Sequence, residues 1–559
     1  MSLDWILTGG HILTMDQEGR TAEAIAVEKG RIVRVGKNEE IQALDQGNVP
    51  HFRLRGKTVL PGFVDAHLHI DSKGAPNTNR RQMRLRSLRA MMEKLQELAE
   101  TTPQGGVINV PLLAPRHLIE ERCYPTRWDL DEAAPHHAVV IRGGWGNNRF
   151  DFIVNTRVLK AAGIDRTTPS PPGGLIEKDE RGEPTGLLRL NAIELLPPWC
   201  FDTPEFLQLY PRETALEYIE RGIQEALMEG VTTIGATREN GKTMWAYQEL
   251  RRRGKLPVRI STYMTTFGYT SRVYKVPTHV QELRKLGLRA RFGDDRIKIA
   301  GVKFYIDGYE CDHLPLEPFV APEYPELQGR DYWLSIPAPD PRDLRAALHE
   351  AHEAGLQIAA HCIGDRAIEL YLDALEWALL RNPDPHHRHR VEHPVICSPR
   401  IIERMAKLGV IAVMIPSIIG LMGPTLIHNN GPERMRWMYP AREWQKAGIR
   451  MAMGTDLVTD VQTHIYHAVT RRMENGEVAN PDQCLDPIDA LRAFTIHAAY
   501  ALGEEEHRGS IEGGKYADLA VLSEDPLQVN KERLKDIRAE ATVLEGRPTY
   551  DPKGLFSMG

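Results

Sequence analysis

Pro61-Gly62-Phe63-Val64-Asp65-Ala66-His67-Leu68-His69 runs from a proline-glycine break through a short apolar strand into two imidazoles spaced two residues apart. Side chains at i and i+2 of a strand point the same way, so His67 and His69 can chelate one metal ion together. Alone, such a pair is as often just two polar residues on one face. Four further apolar runs end in a group able to bind metal: Gly301-Val302-Lys303, Ala359-Ala360-His361, Val391-Glu392-His393 and Gly454-Thr455-Asp456. Strand ends that repeat this chemistry point to a single rim where parallel strands finish.

Working outward from His67, apolar strands are predicted at 231–234, 258–263, 297–304, 357–361, 389–393, 410–415 and 450–456. Helical patterns alternate with them, among them 212–229, which Gly230 ends. With the strand at His67 this makes an α/β chain of the (β/α)8 TIM-barrel class, with the metal candidates at the carboxyl ends of strands one, four, five, six and eight. Residues 1–60 and 508–559 read instead as short strands joined by glycine turns, and one small β-sandwich built from both termini accounts for them. The barrel is expected over 61–507. The interval from His69 to strand two is too long for one crossover, so 74–210 reads as an inserted subdomain with a helix over 80–100 and strands at 107–110 and 138–142. A second long loop, between Lys303 and a helix at 341–354, reads as a lid.

The net charge of −6 lacks the basic footprint of nucleic-acid binding, which leaves a small-molecule partner as the expectation. The six cysteines form no CxxC pair and no signal peptide is recognisable, so a reduced, cytoplasmic enzyme is expected. Residues 408–427 carry no charge and match a membrane span in length, yet Pro416, Pro424, Gly409, Gly420 and Gly423 interrupt them. A buried strand at 410–415 followed by a loop fits better. His386, His387 and His389 lie in a proline-punctuated turn and read as solvated, and His349 and His352 read as surface residues of a helix. Asp365 reads as a helix N-cap, and Cys362 as packing. A homo-oligomer is left open.

Two divalent ions sharing a bridging oxygen ligand polarise an amide carbonyl and deliver hydroxide, and this explains the residue types. His67, His69 and Asp456 would hold one ion, His361 and His393 the other, with zinc suited to neutral imidazoles. Burial should favour the neutral amine of Lys303, which could take up CO₂ and bridge the ions as a carbamate. Asp456 would also carry the proton from attacking water to leaving nitrogen. Each residue has a plainer reading: Lys303 paired with Asp307, His361 and His393 as hydrogen-bonded core imidazoles, Asp456 as a helix cap. A single ion supporting deamination of an aminated heterocycle, or a silent binding protein that keeps the cage for stability, are the competing functions.

These residues resemble the amidohydrolase superfamily, in particular the branch similar to N-substituted formamide deformylases. Residues 61–69 match its strand-one signature, Val302-Lys303-Phe304 with Asp307-Gly308 its lysine strand, His361-Cys362-Ile363-Gly364-Asp365-Arg366-Ala367 its fifth strand, Arg390-Val391-Glu392-His393 its sixth and Gly454-Thr455-Asp456 its eighth. The resemblance runs on through Ala490-Leu491-Arg492-Ala493-Phe494-Thr495 and residues 509–519. It implies a carboxylated lysine, a divalent metal centre and hydrolysis of a carbon–nitrogen bond. Departures fall on the substrate side: Phe150 stands where the branch often carries a histidine, Ile234-Gly235-Ala236 follows Val231-Thr232-Thr233 where an aspartate is common, and Ile415-Pro416 replaces Gln-Pro. Trp145, Asn147, Arg149, Arg238, Tyr305 and His428 are the candidate pocket residues. Arg238 or Arg149 would suit a substrate carboxylate.

Overall fold

The computed structural model describes residues 3–557 except 46, 48, 76–84, 114–115, 144–150, 172–173, 202–211, 266–277, 309–312, 314, 321–340 and 457–459. Eight parallel strands follow one another around a barrel: Phe63–Leu68, Val231–Glu239, Arg259–Met264, Ile297–Tyr305, Gln357–His361, Arg390–Glu392, Ile411–Met414 and Met451–Met453. Neighbours in this series are hydrogen-bonded and parallel. An isolated parallel bridge between Leu68 and Asp456 brings strand eight back to strand one, leaving the cylinder nearly closed. The interior is filled by small and branched side chains, Val64, Ala66, Ala300, Ala359, Val413 and Ala452, all buried. Such layers make the barrel a packed core whose chemistry is confined to its ends.

The seam between strands one and eight is fastened by Asp65. Its carboxylate accepts from Thr455 N at 3.1 Å, from Thr455 Oγ1 at 2.5 Å and from His67 N at 3.0 Å. Backbone bonds from Asp456 N to His67 O (2.7 Å) and from His69 N to Asp456 O (3.2 Å) continue the seam. Two histidines and an aspartate remote in sequence therefore share one rigid corner.

Outside the barrel, helices close the crossovers. Arg212–Met228 buries Leu216, Ile219 and Ile223 and stops before Gly230, whose φ of +89° suits a residue without Cβ. A five-stranded sheet, in the order Gly174–Lys178, Pro184–Leu190, Asp151–Val154, Ala138–Gly143, Val107–Leu113, lies between barrel strands one and two in sequence. A four-stranded sheet from the amino terminus and a six-stranded sheet that joins strands of both termini share one core containing Trp5, Leu7, Val59, Leu519 and Val521. No helix among the described residues is long and apolar enough to cross a membrane.

Several expectations need correction. The uncharged segment forms the strand Ile411–Met414 and then a helix, Ser417–Asn430, rather than a loop. Its glycines are contact points: a Cβ on Gly420 would lie 2.1 Å from the His467 ring and one on Gly423 2.6 Å from Met473 Sδ. The insertion helix is Leu88–Thr101, started by Ser87, whose side chain accepts from Ala90 N at 3.2 Å. His352 and His389 are buried, not solvated, with His352 Nδ1 and His389 Nε2 2.9 Å apart, whereas His386 is exposed and His387 and His349 are half-buried. Asp365 is the first residue of its helix and not the cap; it accepts from Leu316 N at 2.7 Å.

Candidate metal centre

His67, Lys303 and His361 lie at the carboxyl ends of their strands, and His69, His393 and Asp456 just beyond them, where the backbone turns. His69 precedes the short helix Ile70–Gly74, and His393 and Asp456 adopt φ of +58° and +56°. Non-glycine residues in that region carry strain that the surrounding seam must hold. One ligand atom each from His67, His69 and Asp456 lies within 4.8 Å of the others, and all three residues are buried. Asp456 Oδ1 is 3.2 Å from His69 Nε2 and Asp456 Oδ2 is 3.8 Å from His393 Nε2. Ring centroids separate His67 from His393 by 4.6 Å and His361 from His393 by 4.9 Å, so the four imidazoles form one cluster.

Each imidazole has one nitrogen committed elsewhere or left bare. His69 Nδ1–H donates to Thr237 O at 2.8 Å, and His361 Nε2–H to Gly308 O at 2.7 Å. His67 Nδ1 contacts the buried Glu392 carboxylate, a partner that the sequence reading passed over. His67 Nε2, His393 Nδ1 and Lys303 Nζ are buried with no hydrogen-bond partner among the described residues. Bare buried polar atoms are costly, about 1–3 kcal/mol each, unless something outside the chain satisfies them. Two imidazole donors and a carboxylate around one point are the donor set of a divalent transition metal, so the residues present fit such an ion.

Electrostatics agree with ligand states. Burial pushes the imidazolium forms of His67 and His393 well below their usual range, and burial with the nearby Lys303 ammonium brings His361 down to about 3. Burial likewise pulls Lys303 down to about 8, against the pull of Glu392 and Asp456. Burial raises Asp456, but the His69 ring 3.2 Å away, with His67 and Lys303, outweighs it and holds the carboxyl well below the usual range. The candidate ligands are thus poised as neutral imidazoles and an ionised carboxylate.

Of the pocket candidates, Tyr305 is half-buried at the cluster, its ring 5.3 Å from that of His361 and 5.3 Å from Lys303 Nζ. Arg238, at φ +68°, is 9% exposed and spends one guanidinium nitrogen on Ser72 Oγ at 2.9 Å, with Asp71 3.7 Å away. It braces the turn after His69. His428 is exposed in the last turn of Ser417–Asn430. Trp145, Asn147, Arg149 and Phe150 lie outside the described residues. Asp307, the alternative partner of Lys303, accepts from Ile363 N and Gly364 N at 3.0 and 2.8 Å.

Residues 53–550 match the amidohydrolase family. The chain belongs to that family. As an amidohydrolase it is a metal-dependent hydrolase of carbon–nitrogen bonds other than peptide bonds. It is 28% identical over 558 residues to YtcJ of Bacillus subtilis, covering 97% of this chain and 98% of that one. The N-substituted formamide deformylase of Arthrobacter pascens is 26% identical over 566 residues, 99% of both chains. Among solved structures, an uncharacterized metal-dependent hydrolase from Pyrococcus horikoshii OT3 superposes with a TM-score of 0.69 at 24% identity, over 95% of this chain and 99% of that one.

Proposed function

We propose that this amidohydrolase cleaves the amide or cyclic amide bond of a small molecule, with Asp456 as the general acid and base. The observation that carries the reading is the convergence of His67, His69 and Asp456 donors within 4.8 Å, with His67 Nε2 buried and bare. His67, His69 and Asp456 would hold one ion, and His361 and His393 a second, with zinc the metal that imidazoles favour. A carboxylated Lys303 would join them; its buried, unbonded Nζ, whose pKa falls to about 8, supports a reactive neutral amine. A divalent ion supplies carbonyl polarisation and a lowered pKa for water when bound. Asp456, held ionised and in contact with His69 and His393, takes the proton of the attacking water as the carbon–oxygen bond forms. It returns that proton to the nitrogen as the carbon–nitrogen bond breaks. Tyr305 faces the same cluster and would contribute to the substrate wall, with Arg238 and His428 as further pocket candidates. The full overlap with the Arthrobacter formamide deformylase supports N-substituted amides as the first substrates to try.

The same reading divides the chain into a β-sandwich from residues 1–60 and 508–559, a barrel over 61–507, and 74–210 as an insertion. A second reading, deamination of an aminated heterocycle at a single ion, is favoured by the narrow triad itself, since His361 and His393 do not join the 4.8 Å group. Metal-reconstituted protein assayed on formamides, N-acyl amino acids, cyclic amides and aminated heterocycles separates the two. Amide turnover with two ions per chain and a CO₂ adduct at Lys303 supports the first. Ammonia release with one ion and unmodified Lys303 supports the second.

A further inference from the structure

Glu392 is fully buried and belongs to the sixth barrel strand, yet its carboxylate serves the first. Oε2 contacts His67 Nδ1, and Oε1 lies 2.6 Å from Arg390 Nε. Arg390 is itself immobilised: Nη2 donates to Ala66 O at 3.0 Å and the guanidinium covers the Tyr263 ring at 4.2 Å. A carboxylate paired with a guanidinium can only accept. The proton between Glu392 and His67 therefore sits on Nδ1, which leaves the Nε2 lone pair free. That nitrogen is the one found buried and without a hydrogen-bond partner.

We propose that Glu392, oriented by Arg390, is the positioning residue that fixes His67 as the Nδ1–H tautomer and aims Nε2 at the divalent ion. The inference rests on the metal-centre reading above. His69 obeys the same logic through a carbonyl, since Thr237 O receives its Nδ1–H. His67 differs in having a carboxylate behind it in place of a carbonyl, which raises the basicity of the ring. Glutamine at position 392 would fail for a specific reason: Arg390 attracts the amide oxygen, so the amide NH₂ faces His67. Nδ1 would then have to accept, and Nε2 would carry the proton where the ion should be.

The test is zinc affinity of the full-length protein, read by chelator competition, for the wild type, Glu392→Gln and Glu392→Asp. Loss of an outer partner of this kind costs roughly 10- to 100-fold in metal affinity, and Glu392→Gln should show it; the metal-free variant should also melt lower, because buried Arg390 loses its countercharge. Glu392→Asp keeps the anion and should bind zinc more tightly than Glu392→Gln, although glutamine is closer in size; a packing role gives the reverse order and overturns the proposal. So does unchanged affinity in Glu392→Gln. Should that variant not fold, ¹⁵N-histidine NMR of the metal-free wild type, assigned by difference against His67→Gln, reads the tautomer directly. A protonated Nδ1 and bare Nε2 are expected, and the opposite pattern overturns the assignment. No zinc uptake by the wild type would sink the metal-centre reading instead, and the tautomer measurement would still judge Glu392.

Discussion

Asp456 combines three properties that a proton-carrying group needs: a charge held on the carboxylate, contact with two imidazoles and a fixed position through its backbone bonds to His67 and His69. Replacing it with asparagine preserves the shape and removes the proposed base, so kcat should fall by about 100-fold or more while the melting temperature of the metal-free protein holds. Turnover unchanged in Asp456→Asn would remove Asp456 from the mechanism. A different buried imidazole sets a pH limit on stability. His464 is 0% exposed, accepts from Ser417 N at 3.4 Å through Nδ1, and burial brings it down to about 3. Between pH 3 and 6.5 the unfolded chain binds a proton there that the folded chain refuses, so stability is present above pH 6.5 and lost as the pH falls. Acidifying from pH 6.5 to 5 should cost about 2 kcal/mol at this site, and His464→Gln should flatten that part of the urea-unfolding profile. At this scale the sequence was most legible where residue type and strand position coincided, as at His67, His69 and Asp456. Glu392 escaped because its meaning depends on Arg390 and His67 converging from two strands, which no local spacing reports.

At the scale of elements, the short helix Ile70–Gly74 ties the turn after His69 to the helix Arg212–Met228. The two backbones touch: a Cβ on Gly222 would lie 2.2 Å from Ile70 O, and one on Gly74 1.9 Å from Tyr218 O. Gly222→Ala should therefore push the His69 turn outward, costing about 1–3 kcal/mol of stability and weakening zinc binding together with it. A variant with wild-type melting temperature and zinc affinity would show that the contact has slack. Glycine was harder to interpret where it serves contact instead of turning. Gly420 and Gly423 looked like breakers, but they let Ser417–Asn430 approach His467 and Met473, and with Pro424 inside, the helix survives because its flanks are buried. The pairing of His352 with His389 was illegible for a related reason, since it joins a helix to a strand entrance 37 residues away.

At the scale of the whole molecule, the barrel could be read because eight apolar runs alternate with helical patterns and five of them announce their carboxyl ends chemically. What the sequence left open was the seam: Asp65, one residue in an apolar run, joins strand eight to strand one through Thr455. Because the triad of His67, His69 and Asp456 joins strands one and eight, an ion bound there would brace the closure of the cylinder. Stripping it with a chelator should lower the melting temperature of the wild type, and restoring zinc at a hundredfold excess over its Kd should return about 2.7 kcal/mol. Asp65→Ala should melt lower with or without metal. The most direct measurement is anomalous diffraction at the zinc edge from crystals of the zinc-loaded protein. A peak about 2.0–2.2 Å from His67 Nε2, His69 and the Asp456 carboxylate is predicted; a peak elsewhere, with those three groups bonded only to one another, would contradict the account.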